Sequence, residues 1–149
     1  MINIHTIVKH LVQKYNNTRD PEKIARELHI TIVKKEYTGI TKGYFIKIHT
    51  NKFIVINSLL NEYSQRIVMA HELGHAILHS TSNIYFIREQ TLFPIGKYEV
   101  QANKFAAELL INDDDIIKEY TVPQMACYFG VPEELVEYKL LRRKEVEYL

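Results

Sequence analysis

The sequence predicts an α+β fold, a small antiparallel sheet packed on one helix and followed by a mainly helical C-terminal half. Three observations carry this reading. Apolar residues recur at helical spacing near both ends of the chain, β-branched and aromatic runs are confined to residues 30–57, and no linker interrupts the pattern. With five glycines, four prolines and no Ser- or Gly-rich stretch, the 149 residues read as a single domain.

Ile4, Ile7, Val8, Leu11 and Val12 give residues 2–15 a helical stripe. Asp20-Pro21-Glu22 reads as an N-cap, a proline at the first helical position and an acidic first turn, opening a short helix that runs to Leu28. Ile30-Thr31-Ile32-Val33 switches to a β-branched run. Residues 44–48 and 52–57 then flank the polar turn His49-Thr50-Asn51 as a hairpin. From Asn61 the pattern is helical to about His79. An irregular stretch follows through Pro94-Ile95-Gly96, then a helix from about Lys97 to Ile111. Asn112 and Asp113 can cap a short segment to Tyr120, and Pro123 to Phe129, Gly130, and Pro132 to about Glu145 read as helix, turn, helix. Residues 1–60 thus supply the first helices and the sheet, 61–111 two long helices, and 112–149 the C-terminal helices.

Composition narrows the function classes. Lys and Arg number 19 against 18 Asp and Glu, and the net charge of +1 is spread along the chain, which argues against a dedicated nucleic-acid or membrane-surface protein. The single cysteine, Cys127, excludes an internal disulfide framework. Met1-Ile2-Asn3-Ile4-His5 has neither the basic nor the apolar region of a secretory signal, so a cytoplasmic location is expected. The apolar run Phe53-Ile54-Val55-Ile56 falls far short of the roughly 18 residues a membrane helix requires.

Seven histidines remain, and three of them are organised. In His71-Glu72-Leu73-Gly74-His75 the two imidazoles lie about 40° apart, one turn along the same helix face, and can share one metal ion. His71, Glu72, His75 and His79 fall within an arc of roughly 100°, interrupted only by Val68, while Met69, Ala70, Leu73, Gly74, Ala76, Ile77 and Leu78 occupy the other sides. A catalytic zinc site takes three protein ligands and leaves a fourth position open. His79 is one offer for the third. It sits on the same helix without the glycine break that a third histidine needs, so it reads as an outer partner, a substrate-facing group or a helix-end residue. Glu99 on the next helix is the other offer. Glu99, Ala102, Asn103, Ala106 and Leu110 form one stripe whose small residues allow close approach to the histidine helix, and Asn103 is placed to hydrogen-bond a ligating imidazole. A solvated first-turn glutamate is the alternative for Glu99. Glu108, about 180° round the helix, is expected to face solvent. His5, His10, His29 and His49 are isolated in sequence.

With those residues in place, the chain resembles the ImmA/IrrE metallopeptidases. The likeness rests on His71-Glu72-Leu73-Gly74-His75-Ala76-Ile77-Leu78-His79, then Glu99-Val100-Gln101-Ala102-Asn103-Lys104-Phe105-Ala106-Ala107-Glu108-Leu109-Leu110. It extends through the tail from Met125 to Leu140 and spans roughly residues 53–141, with the N-terminal third alike only in layout. Within the family the chain is most similar to ImmA-type anti-repressor proteases of mobile elements and phages. The resemblance implies a zincin-like fold, one Zn2+ or another divalent metal held by His71, His75 and Glu99, and Glu72 as general base, with Asn103 and His79 as outer or substrate-facing candidates. It also implies a helix-turn-helix repressor as the protein substrate, whose cleavage releases a prophage or mobile element from silencing.

Two other readings fit parts of the sequence. Ala126, Gly130 and Val136 have the spacing of a DNA-binding helix-turn-helix, yet Glu133, Glu134 and Glu137 on the second helix would meet phosphates with the wrong sign. A regulatory module that binds metal and acts by protein binding is the other, and the intact Glu72 speaks against it. A strand at residues 52–57 lying at the sheet edge beside the histidine helix could pair with an extended substrate, whereas a core strand could not.

Overall fold

Each of the first two helices opens on a side chain that accepts from an otherwise unpaired backbone N–H. In the computed structural model, which describes residues 2–80 and 95–147, Asn3 accepts from Thr6 N at 3.0 Å to start α1 (Ile4–Lys14). Asp20 accepts from Glu22 N at 2.9 Å to start α2 (Pro21–Glu27), with Pro21 in the first turn, where no donor is needed.

The β-branched run forms β1 (Thr31–Lys35), and the hairpin comprises β2 (Gly43–Ile48) and β3 (Asn51–Asn57). Strand order is β1-β3-β2, with β3 antiparallel to β2 and parallel to β1. The expected antiparallel sheet is corrected, and the two alternatives for residues 52–57 are decided. The sheet is mixed and not antiparallel, because residues 36–42 carry the chain across the end of β3 from one sheet edge to the other. Asn57 holds that crossing: its Nδ2 donates to Tyr37 O and to Thr41 O at 2.8 Å each, and its Oδ1 accepts from Tyr37 N at 3.2 Å. In consequence the strand at residues 52–57 is central, with Ile54 and Ile56 fully buried, and has no free edge to offer a substrate.

Asn61 caps α3 (Glu62–Leu78) by accepting from Ser64 N at 2.8 Å, and His79 closes its C-terminus. Met69, Ala70, Leu73 and Ala76 are buried, as the apolar sides of the helix require, and α3 packs on β2, on β3 and on α4 (Ile95–Leu110). Most of the stretch expected to be irregular, residues 81–94, lies outside the described residues. Ile95 and Gly96 belong to α4, so that helix begins two residues earlier than its pattern indicated.

The helix α4 is covered on both sides. Beyond α3 it packs against α1 and against α6 (Glu133–Glu147). Glu108, expected in solvent, is therefore only 5% exposed, and its carboxylate is met by Lys139 Nζ at 2.6 Å, by Arg142 Nε and by His5 Nδ1 at 2.9 Å. A buried carboxylate requires such partners. Arg19 adds a cap at the end of α4, donating to Glu108 O and Leu109 O at 3.0 Å each.

Asn112 caps only a single 3-10 turn, Asp113–Asp115, and the helix expected to reach Tyr120 does not form. Three aspartates followed by β-branched Ile116-Ile117 are weak helix formers, and Asp113 is turned aside to Lys139 and Arg142. Thr121 and Gln124 make a reciprocal capping box at the start of α5 (Val122–Phe129), which ends on Gly130 at φ 64°, a left-handed position that glycine adopts without strain. No helix among the described residues is long and apolar enough to cross a membrane.

Candidate metal centre

Close contact between α3 and α4 builds the site. A Cβ on Gly74 would lie 3.0 Å from Phe105 Cβ and 3.2 Å from both Cα and O of Ala102, so a glycine is what permits this approach. Across from it, Ala102 and Ala106 are buried at 0% and 1% exposure. The small residues of the α4 stripe thus face the glycine of the histidine helix, and Glu99, one turn before Ala102, is brought against the two imidazoles.

Glu99 Oε2 lies 2.9 Å from His71 Nε2, and Glu99 Oε1 lies 3.1 Å from His75 Nε2. The three candidate donor atoms fall within 4.8 Å of one another. Ligands at zinc distances in a tetrahedral shell are spaced about 3.4 Å apart, and each imidazole lies a few tenths of an ångström closer than that to its own oxygen of Glu99. Two imidazole nitrogens and one carboxylate oxygen are also a donor set used by catalytic zinc. The residues fit a divalent ion. His75 is fully buried, while the side chains of His71 and Glu99 are 19% and 35% exposed, so the centre opens on their side.

Asn103 Oδ1 accepts from His71 Nδ1 at 2.7 Å, which leaves Nε2 as the nitrogen facing Glu99. Burial opposes charge on His71. The hydrogen bond it donates to Glu99, the fields of Glu72 and Glu99 and the hydrogen bond it donates to Asn103 outweigh that opposition and hold the imidazole above its ordinary pKa. Glu72 itself is 4% exposed.

His79 does not join the three donors. Its Nδ1 lies 3.0 Å from His75 Nδ1 and its Nε2 lies 2.7 Å from Gln101 Oε1, while the ring of Tyr98 packs edge-on against it at 4.6 Å. Gln101 and Tyr98 did not stand out in the sequence. The available signal was that Gln101 and Asn103 flank Ala102, about 100° to either side of the helix contact line.

A second group, His5, Glu108 and Asp113, also brings candidate donor atoms within 4.8 Å. Cations of the protein already occupy it, with Lys139 Nζ at 2.6 Å from each carboxylate and Arg142 beside both. Partial burial opposes ionisation of Asp113, but Lys139 and Arg142 hold its carboxyl below the ordinary value. This group is an ion-pair network tying α1, α4 and α6, and His5 belongs to it and is not isolated.

Comparison with known proteins adds a family. Residues 25–141 match the profile of a peptidase family described as the IrrE N-terminal-like domain. The chain is similar to "Uncharacterized immunity region protein 2" of Bacillus phage phi105, with 39% identity over 140 residues that span 91% of this chain and 88% of that protein. It is also similar to "Metallopeptidase ImmA" of Bacillus subtilis (strain 168), with 32% identity over 151 residues, 94% of this chain and 89% of that protein.

Proposed function

The chain belongs to the ImmA/IrrE-like metallopeptidase family, and from that membership we propose that it is a zinc-dependent endopeptidase of zincin-like fold, cleaving a helix-turn-helix repressor. The observation that carries the reading is the convergence of His71 Nε2, His75 Nε2 and the Glu99 carboxylate at the contact of α3 and α4. The substrate class is supported by the immunity-region name of the phage relative and the name of the Bacillus subtilis relative.

In this reading His71, His75 and Glu99 hold the ion. When bound, zinc supplies Lewis acidity toward the scissile carbonyl and eases deprotonation of the attacking water. Glu72 takes the proton from that water as its oxygen bonds to the carbonyl carbon, then delivers it to the amide nitrogen as the C–N bond breaks, and so returns to the carboxylate. Asn103 keeps the His71 ring in the orientation that presents Nε2. Exposed Glu133, Glu134 and Glu137 on α6 oppose phosphate contact, which favours a protein partner over DNA.

The test is incubation with a helix-turn-helix repressor from the same source as this chain, followed by mass analysis. Zinc-loaded protein yields two fragments, and chelation abolishes them. Glu72→Gln retains zinc and loses cleavage. Full activity after verified zinc removal, or wild-type rates in Glu72→Gln, contradicts the proposal.

A further inference from the structure

Two carboxamides that flank Ala102 on α4 lie beside the histidines of α3 and its end. Asn103 reaches His71 directly, at 2.7 Å. Gln101 reaches His75 through His79, with 2.7 Å between Gln101 Oε1 and His79 Nε2 and 3.0 Å between His79 Nδ1 and His75 Nδ1.

The direction of that second chain follows from donor chemistry. A carboxamide oxygen only accepts, so His79 Nε2 carries the proton. A neutral imidazole has one N–H, which leaves His79 Nδ1 as an acceptor and requires His75 Nδ1 to donate. With His75 Nδ1 as the donor, the ring proton is off Nε2, and that nitrogen and Glu99 Oε1, 3.1 Å apart, would share a cation between them. The opposite direction would place a proton on His75 Nε2, where a metal must bind. His75 and His79 are 0% and 2% exposed, so bulk water does not compete for these nitrogens, and the edge of Tyr98 packs over His79.

We propose that Gln101 and His79 are positioning residues, a two-step hydrogen-bond relay that fixes His75 as the Nδ1–H tautomer and presents its Nε2 to a divalent cation. The inference rests on the reading of His71, His75 and Glu99 as the metal donors. It assigns His79 a task that its sequence position left open, and it brings in Gln101, which neither touches the donor atoms nor lies on the Glu99 stripe.

Zinc affinity is measured by competition with a chromophoric chelator for the full-length wild type, Gln101→Met, Gln101→Glu and Glu99→Ala. Gln101→Met keeps the length of the side chain and removes the acceptor. It binds zinc about 10–100-fold more weakly than wild type, the loss typical when an outer partner of a ligating histidine is removed. Gln101→Glu restores an acceptor and binds zinc more tightly than Gln101→Met. Long-range 1H–15N correlation on the zinc-loaded wild type then finds His79 protonated at Nε2 and bare at Nδ1. Unchanged affinity in Gln101→Met, or a proton on His79 Nδ1, overturns the relay while zinc binding that is lost in Glu99→Ala upholds the metal reading. Absence of zinc binding in the wild type overturns both. The tautomer measurement needs no variant, so a Gln101 substitution that fails to fold still leaves the relay tested.

Discussion

Asp113 and Glu99 show how differently two carboxylates of similar partial exposure are used. Asp113 is held below its ordinary pKa by Lys139 and Arg142 against the cost of burial, and its side chain is 33% exposed. A folded-state pKa below the unfolded value of 3.8 means that its contribution is fully present above that pH and is lost as pH falls through the folded value. Solvent screening keeps the contribution modest, about 0.5–1 kcal/mol. Asp113→Asn therefore lowers the thermal midpoint at neutral pH, and the gap from wild type closes as the pH drops below 3.8. Thermal melts of both proteins across that range check it, and a gap that widens on acidification contradicts it. Glu99 is placed to meet two imidazoles with its two oxygens. Helical geometry put the two histidines on one face and the α4 stripe offered Glu99 as one of two choices for a third donor, and it was the family resemblance that selected Glu99 over His79. The environment of Glu108 was not legible. A pattern read along one helix identifies opposite faces but does not show that α1 and α6 cover the second one.

At the scale of elements, Asp20 with Pro21 made the start of α2 readable, whereas Asn3 and Thr121, which satisfy first-turn donors in the same way, were not read as caps because a lone Asn or Thr is as common in a turn as at a helix start. Strand pairing was less readable. Period-two alternation identifies a strand and a short polar turn identifies its hairpin partner, but neither gives the direction in which β1 joins. That direction follows from residues 36–42 crossing the end of β3, a connection pinned by Asn57 from within the strand it crosses. The decisive contact between elements is Gly74 against Ala102. Gly74→Ala places a methyl group against backbone that has little room to yield, so it destabilises the protein by about 1–3 kcal/mol. It also separates Glu99 from the imidazoles and weakens zinc binding. Denaturant midpoints together with zinc titration check both effects, and a variant with wild-type stability and affinity shows that the close approach is not required.

Over the whole molecule, α4 connects two polar centres of opposite design. On one face its Glu99 meets imidazoles in an arrangement suited to an added cation, and on the other its Glu108 is neutralised by Lys139 and Arg142 from the chain itself. The chain belongs to a family of metallopeptidases, and the first centre is the one proposed above to hold the metal. The two centres make opposite predictions for a metal. A crystal of the zinc-loaded protein, recorded at the zinc absorption edge, gives one anomalous peak with His71 Nε2, His75 Nε2 and a Glu99 oxygen each about 2.0–2.2 Å away. A map with no peak there, or with its peak at His5, Glu108 and Asp113, contradicts the assignment of the metal centre.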